Sequence, residues 1–286
     1  MATVSDVFAV ISPQDAWAAV QAGALPVDVR ADIADKARGR REYDEAHVPG
    51  AVYADMESDL ADLSRSGHGR HPLPDDAHFS RVLSRWGVTA DTHVIAYDFG
   101  SGAMAARLWW MLRTSGHAKV SVVDGGIVGW RAAGLPLDAS VPQRQASDYR
   151  VTLDRSQWRT SDEVVMLVAN GEGVLIDARA ANRFRGEDET MDPVAGHVPG
   201  AKNRPFTLNL DASGTKFKPA AQLRSEFQEL LGPVAPREAV FMCGSGVTAC
   251  HNLLALAHAG LGAGLLYADS WSGWISDPKR PVATGA

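Results

Sequence analysis

His47-Val48-Pro49-Gly50-Ala51 returns 150 residues later as His197-Val198-Pro199-Gly200-Ala201. Working outward from this pentapeptide, Val27-Asp28-Val29-Arg30 recurs as Ile176-Asp177-Ala178-Arg179. Val94-Ile95-Ala96-Tyr97-Asp98 lines up with Ala239-Val240-Phe241-Met242-Cys243, and Gly129-Trp130 with Gly273-Trp274. Four matches in one order, with an offset drifting only from 150 to 144, make chance a poor explanation. The period is too long for a solenoid, so the chain is expected to be two homologous domains in tandem. Its 286 residues fit that expectation, at a prior of about 150 residues per domain. The division is placed at residues 1–140 and 157–286, with 141–156 as linker. The region 137–155 is polar, holds Pro142 and lacks a long apolar run.

Each copy alternates short apolar runs with helical stretches. Runs at 25–29, 93–97, 120–123, 174–176, 239–242 and 264–267 are almost wholly apolar, as in parallel strands covered on both faces. Helical stretches are read at 14–22, 76–86, 104–115, 222–231 and 247–259. The expected class is α/β, each domain a parallel sheet flanked by helices. Val48-Pro49-Gly50 and Val198-Pro199-Gly200 read as turns.

Composition narrows the partners. Hydrophobic residues make up 45% and charged residues 22%, an ordinary globular balance. A formal charge of −6 argues against nucleic acid, which needs a basic patch. No apolar run of about 18 residues suggests a membrane span. Residues 1–17 lack the basic segment of a signal peptide. The two cysteines, Cys243 and Cys250, fit neither a disulfide framework nor the usual zinc spacing. A cytoplasmic protein with a free thiol and no metal is expected.

The chemistry centres on Cys243-Gly244-Ser245-Gly246-Val247-Thr248-Ala249, where an apolar strand turns into a helix. Glycines let such a loop curl its N–H groups inward, and the helix start adds positive potential. Both favour a thiolate, the nucleophilic form, and would equally hold a persulfide anion. Ser245 and Thr248 add hydroxyls at the rim. The competing structural reading is a packed cysteine at a strand end. That reading fits Cys250, which lies inside an apolar helical run.

The duplicated halves, the His-Val-Pro-Gly turns, the Asp124–Trp130 segment and the Cys-Gly-Ser-Gly-Val-Thr-Ala loop together resemble a tandem-domain rhodanese, over nearly the whole chain. The loop is similar to those of the 3-mercaptopyruvate sulfurtransferase branch. Thiosulfate-preferring members carry basic residues just after the cysteine, where Gly244 and Ser245 stand here. A dianionic donor wants cations at that place, whereas mercaptopyruvate keeps its charge on a remote carboxylate.

The resemblance implies a catalytic second domain and a non-catalytic first. No cysteine occurs in the first half, and Cys243 aligns with Asp98, or with Phe99 if a gap is placed earlier. It implies Arg183 as the grip on the substrate carboxylate, a task suited to a guanidinium's paired donors. Read from the residues alone, Arg183 could equally pair with Glu187 or Asp188 on the surface. Mercaptopyruvate enzymes often carry a second arginine further on, but 187–195 is short and contains none. Arg185 or Arg70 is left to compensate. Family mechanisms also imply an acid–His–Ser relay, here Glu57, His71 and Ser245, moving protons near neutrality. His47 and His197, present in both halves, are expected to serve their turns.

The implied activity moves a sulfane sulfur from 3-mercaptopyruvate or thiosulfate through a Cys243 persulfide to cyanide or a thiol such as thioredoxin. Gly244, Gly246, Val247, Thr248 and Arg70 join Arg183 around the donor. No cofactor is implied, and a monomer is expected. Three alternatives remain: a thiosulfate-preferring rhodanese, a non-catalytic persulfide carrier, and a cysteine phosphatase. The last needs an arginine six residues after the thiol, where Ala249 stands.

Overall fold

The computed structural model describes residues 9–171 and 173–285. The reading of residues 1–17 therefore lies partly outside the described residues. Two compact units emerge. One contains the chain up to Ala61, Pro74–Asp154 and Asp211–Phe217; the other contains Asp62–Leu73, Arg155–Leu210 and Lys218–Ala286. Each half thus lends a short segment to the other's unit.

The first unit holds β1 (Val10–Ile11), β2 (Leu25–Asp28), β3 (Val52–Tyr53), β4 (Val94–Tyr97) and β5 (Val120–Val123). They form one sheet in the order β1-β5-β4-β2-β3. The second unit holds β6 (Trp158–Arg159), β7 (Val174–Asp177), β8 (Lys202–Asn203), β9 (Ala239–Met242) and β10 (Leu265–Tyr267). Their order, β6-β10-β9-β7-β8, is the same arrangement repeated. All eight strand pairings among the described residues are parallel. The expected α/β class, one helix-flanked parallel sheet per half, is what the chain forms.

The six apolar runs became the long inner strands, within a residue of the expected bounds. The two-residue edge strands β1, β3, β6 and β8 carry too little pattern to be read. Also unforeseen was the helix Arg38–Glu45, whose polar surface is laced by Arg38–Glu42 and Arg40–Asp44 pairs. Ser161–Asn170 was missed although its start is written locally. Thr160 and Glu163 form a capping box, and Gly171 ends the helix in the left-handed conformation.

The repeated peptides are the joints of the fold. At the end of β2, the Asp28 carboxylate takes Arg30 Nε and Nη2, at 2.9 and 2.7 Å, and Nη2 also donates to Ala46 O. Arg179 does the same with Asp177 and Gly196 O. These buried pairs tie each inner strand to the turn that follows. There His47 Nδ1 meets Tyr43 O at 2.6 Å, and the imidazole stacks on the Tyr43 ring. His197 meets Phe184 O at 2.8 Å and stacks on Phe184. Each core is closed by a tryptophan whose N–H is satisfied, Trp130 on Pro136 O and Trp274 on Pro281 O.

Candidate active site

β9 ends at Met242, and the chain turns at Cys243 before the helix Ala249–His258 begins. Three hydrogen bonds fasten this turn to the segment after β10. Cys243 N donates to Ser270 Oγ (3.0 Å), and the carbonyls of Cys243 and Gly244 accept from Trp271 N and Ser272 N at 3.0 and 2.9 Å. The Cys243 side chain is nearly covered, at 1% exposure, and Gly246 N points at its Sγ from 3.1 Å. Gly246 has φ +79°, and a Cβ there would lie 2.2 Å from Ala268 O, so only glycine fits. Val247 is buried and Thr248 partly so, just ahead of the helix start. Cys250 is fully buried, its thiol donating to Gly246 O at 3.4 Å. Its place is in the packing, as expected.

Ser270 escaped the sequence reading. It is the one non-glycine residue with positive φ (+52°) among the described residues. Such backbone costs on the order of 1 kcal/mol or more. Its buried hydroxyl accepts from Cys243 N and donates to Tyr267 O (2.8 Å), locking the strained turn beneath the thiol. The equivalent first-half residue is Gly126, with φ +50°. A serine opposite a glycine at the repeat offset was the available signal.

The segment Asp62–Leu73 belongs to this same unit. It brings His71 Nδ1 to 2.7 Å from Ser245 Oγ. Arg70 N donates to Ser272 Oγ, and a Cβ on Gly69 would lie 2.5 Å from Asp269 O, so the segment is seated on 269–272. Arg70 and Arg183 both reach the loop. A Cβ on Gly244 would lie 2.9 Å from Arg70 Nη2 and 3.9 Å from both Arg183 Nη atoms. Cys243, Ser245, His71, Arg70 and Arg183 are thus gathered in one unit. Glu57 lies in the other unit, where its carboxylate meets Lys36 Nζ at 2.6 Å.

The partners of Arg183 differ from the expected surface pair. Glu187 pairs with Arg185, while Arg183 forks onto Glu189 and also donates to Asp192 at 2.9 Å. Asp192 receives Arg70 as well. Neither carboxylate was singled out from sequence, because an acidic exposed-looking loop gives no sign that it folds inward. Burial pushes the Glu189 carboxyl up, but hydrogen bonds from Arg183 and from Met191 N and Asp192 N prevail and hold it below the usual range.

The corresponding loop of the first unit is occupied differently. Asp28 pairs with Tyr97 in register as Asp177 pairs with Met242, which makes Asp98 the equivalent of Cys243. The Asp98 carboxylate accepts four backbone N–H groups, from Gly100, Gly102, Met104 and Ala105, at 2.9–3.3 Å.

A twice-repeated parallel sheet with a thiol loop at the end of one inner strand defines the class. The rhodanese-like domain model matches residues 12–133 and again 160–277, and the chain belongs to the rhodanese family. A Pseudomonas aeruginosa protein, "Probable 3-mercaptopyruvate sulfurtransferase", is 46% identical over 91% of this chain and 92% of its own length. The thiosulfate sulfurtransferase of Cricetulus griseus is 34% identical over 87% of this chain and 84% of its own. The solved 3-mercaptopyruvate sulfurtransferase from Leishmania major superposes with a TM-score of 0.86 at 31% identity, covering 98% of this chain and 77% of that one.

Proposed function

We propose that the chain is a sulfurtransferase that takes sulfur from 3-mercaptopyruvate onto Cys243 and passes it to a thiol. The observation that carries this reading is the Cys243 loop itself. Gly246 N–H is aimed at Sγ, and the two positions after the thiol, Gly244 and Ser245, bear no charge. The high identity to a protein named for mercaptopyruvate supports the donor over thiosulfate.

The donor's carboxylate is held at Arg183 and Arg70, beside Gly244. Cys243 sulfur attacks the donor's sulfur, forming an S–S bond as the donor's C–S bond breaks. The bonding pair leaves on the carbon as the enolate of pyruvate. Ser245, in contact with His71, relays a proton to that carbon, and pyruvate departs. The persulfide remains, its outer sulfur stabilised by the loop's N–H groups. A thiol then attacks the outer sulfur and regenerates Cys243. Cyanide would leave as thiocyanate, and thioredoxin would give up its dithiol to a disulfide with release of sulfide. Two half-reactions through a covalent intermediate predict ping-pong kinetics. Free thiol chemistry of this kind suits a reducing, cytoplasmic setting. Among the described residues no helix is long and apolar enough to cross a membrane.

The test is a side-by-side kcat/KM for 3-mercaptopyruvate and thiosulfate, each with cyanide and with thioredoxin as acceptor. Mercaptopyruvate should lead with both acceptors. A strong thiosulfate preference would sink the donor assignment. Negligible turnover on either donor, with rapid persulfide loading by a protein, would favour a carrier instead.

A further inference from the structure

The stretch 187–195 lacks the arginine that mercaptopyruvate enzymes often carry, yet it is built into the site. The side chains of Glu189 and Asp192 are 2% and 1% exposed. Asp192 divides its oxygens: Oδ1 takes Arg70 Nη1, and Oδ2 takes Arg183 Nη2. Glu189 takes Arg183 Nε and Nη2 and lies 3.5 Å from Arg179 Nη1, while Asp177 takes the other edge of Arg179. Three guanidinium groups therefore face three carboxylates. The cations beside Gly244 are compensated from within, by side chains closed off from water.

We propose that Asp192 is a specificity-determining residue. Its carboxylate, shared between Arg70 and Arg183, selects monoanionic sulfur donors against dianionic ones. This rests on the reading that the donor's anionic end is held at those two arginines. A bound anion meets Asp192 as a like charge, and that repulsion grows in proportion to the anion's own charge. A dianion such as thiosulfate is penalised twice as heavily as a monocarboxylate, and burial limits screening by salt. A monocarboxylate resembles Asp192 itself and can exchange with it on one guanidinium edge. Burial pushes the Asp192 carboxyl up, with Glu189 adding, against the pull of Arg70 and Arg183. Its charge is thus held uneasily, as suits a group that gives way to a ligand.

The experiment compares wild type with Asp192→Asn, measuring kcat/KM for thiosulfate and for 3-mercaptopyruvate with cyanide as acceptor. The thiosulfate-to-mercaptopyruvate ratio should rise by at least about tenfold, the effect of one extra unit charge at about 12 Å and an effective dielectric near 20, and more at shorter range. A ratio within threefold of wild type, or one that falls, overturns the proposal. Glu187→Gln removes an exposed negative charge from the same stretch. It should leave the ratio unchanged; an equal rise there would make the effect one of overall charge and overturn the proposal. Arg183→Gln separates the two layers of the argument. If it leaves KM for both donors unchanged, the donor-site reading fails. If it raises both while Asp192→Asn leaves the ratio alone, only the present inference fails. Should Asp192→Asn not fold, the wild-type enzyme decides. A compensated site predicts less than a threefold fall in thiosulfate kcat/KM between 20 and 200 mM salt, by the logic of roughly 20 Å and 7 Å screening lengths. A steeper fall would mark the arginines as uncompensated.

Discussion

The loop after β4 and the loop after β9 occupy the same place in two copies of one sheet. The first holds a carboxylate, the second a thiol. Asp98 fills its cradle completely, taking four backbone N–H groups on its own two oxygens. Cys243 takes one, from Gly246, on its single sulfur. The comparison teaches that this turn of the fold aims backbone donors at the side chain that opens the loop, whichever residue supplies it. In the first unit the acceptor is a carboxylate that is part of the structure. In the second it is a sulfur that, under the function proposed, takes up another sulfur. Ser270 and Gly126 mark the same divide: the turn demands a left-handed residue, and only the second copy uses a side chain there to hold the N–H of Cys243.

The largest effect should come from the two cysteines. Cys243→Ser is expected to abolish sulfur transfer, by at least about 10³-fold in kcat, the loss usual for a covalent nucleophile. Cys250→Ser should keep most of the activity, and steady-state rates decide between them. Equal losses in both would erase the distinction between reacting and packed thiol.

Ser270→Gly makes the second turn like the first. Loss of the hydroxyl that holds Cys243 N should lower kcat by roughly tenfold through misplacement of the thiol. Stability should move by no more than about 1 kcal/mol, because relief of the strained φ offsets the lost hydrogen bonds. A thermal melt read beside the kinetics separates the two. A large fall in melting temperature with unchanged kcat would make Ser270 merely a brace.

Asp98→Ala should strand four N–H donors in a covered loop and destabilise the protein by about 3 kcal/mol in a urea titration. A loss under about 0.5 kcal/mol would mean the first cradle does not depend on its anion.

A site away from both loops sets the scale for ordinary charge pairing. Burial pushes Glu226 up, but hydrogen bonds from Lys218, Arg204 and Gln222 outweigh it and bring the carboxyl down to about 2. Folded protein therefore binds this proton less tightly than unfolded protein. The stabilisation is present above the unfolded value, near 4.5, and is lost as pH falls toward 2. Glu226→Gln should cost about 1 kcal/mol at pH 7 after solvent screening, fading below pH 4, with kcat unchanged. An equal loss at pH 7 and pH 3 would contradict it.

Much of this comparison was written in the sequence. The repeats Asp28-Val29-Arg30 and Asp177-Ala178-Arg179, the paired His-Val-Pro-Gly turns and the paired tryptophans fixed two like folds, because each motif is a joint whose residue types have few substitutes. The alignment left Cys243 opposite Asp98 or Phe99, and strand register resolved it to Asp98. The thiol loop was legible because its chemistry is local. Ser270, Glu189 and Asp192 were not, since their roles depend on partners brought together from distant parts of the chain. An acidic loop and a lone serine look alike in sequence whether they face water or a guanidinium. Two-residue edge strands likewise hold no period to read.

The central claim is that Cys243 carries the transferred sulfur. The direct measurement is peptide mass mapping after brief exposure to 3-mercaptopyruvate with no acceptor present. The account predicts one added sulfur atom on the Cys243 peptide, removed again by cyanide or a thiol. An unmodified Cys243, or sulfur found on Cys250 while pyruvate is released at the catalytic rate, would contradict it.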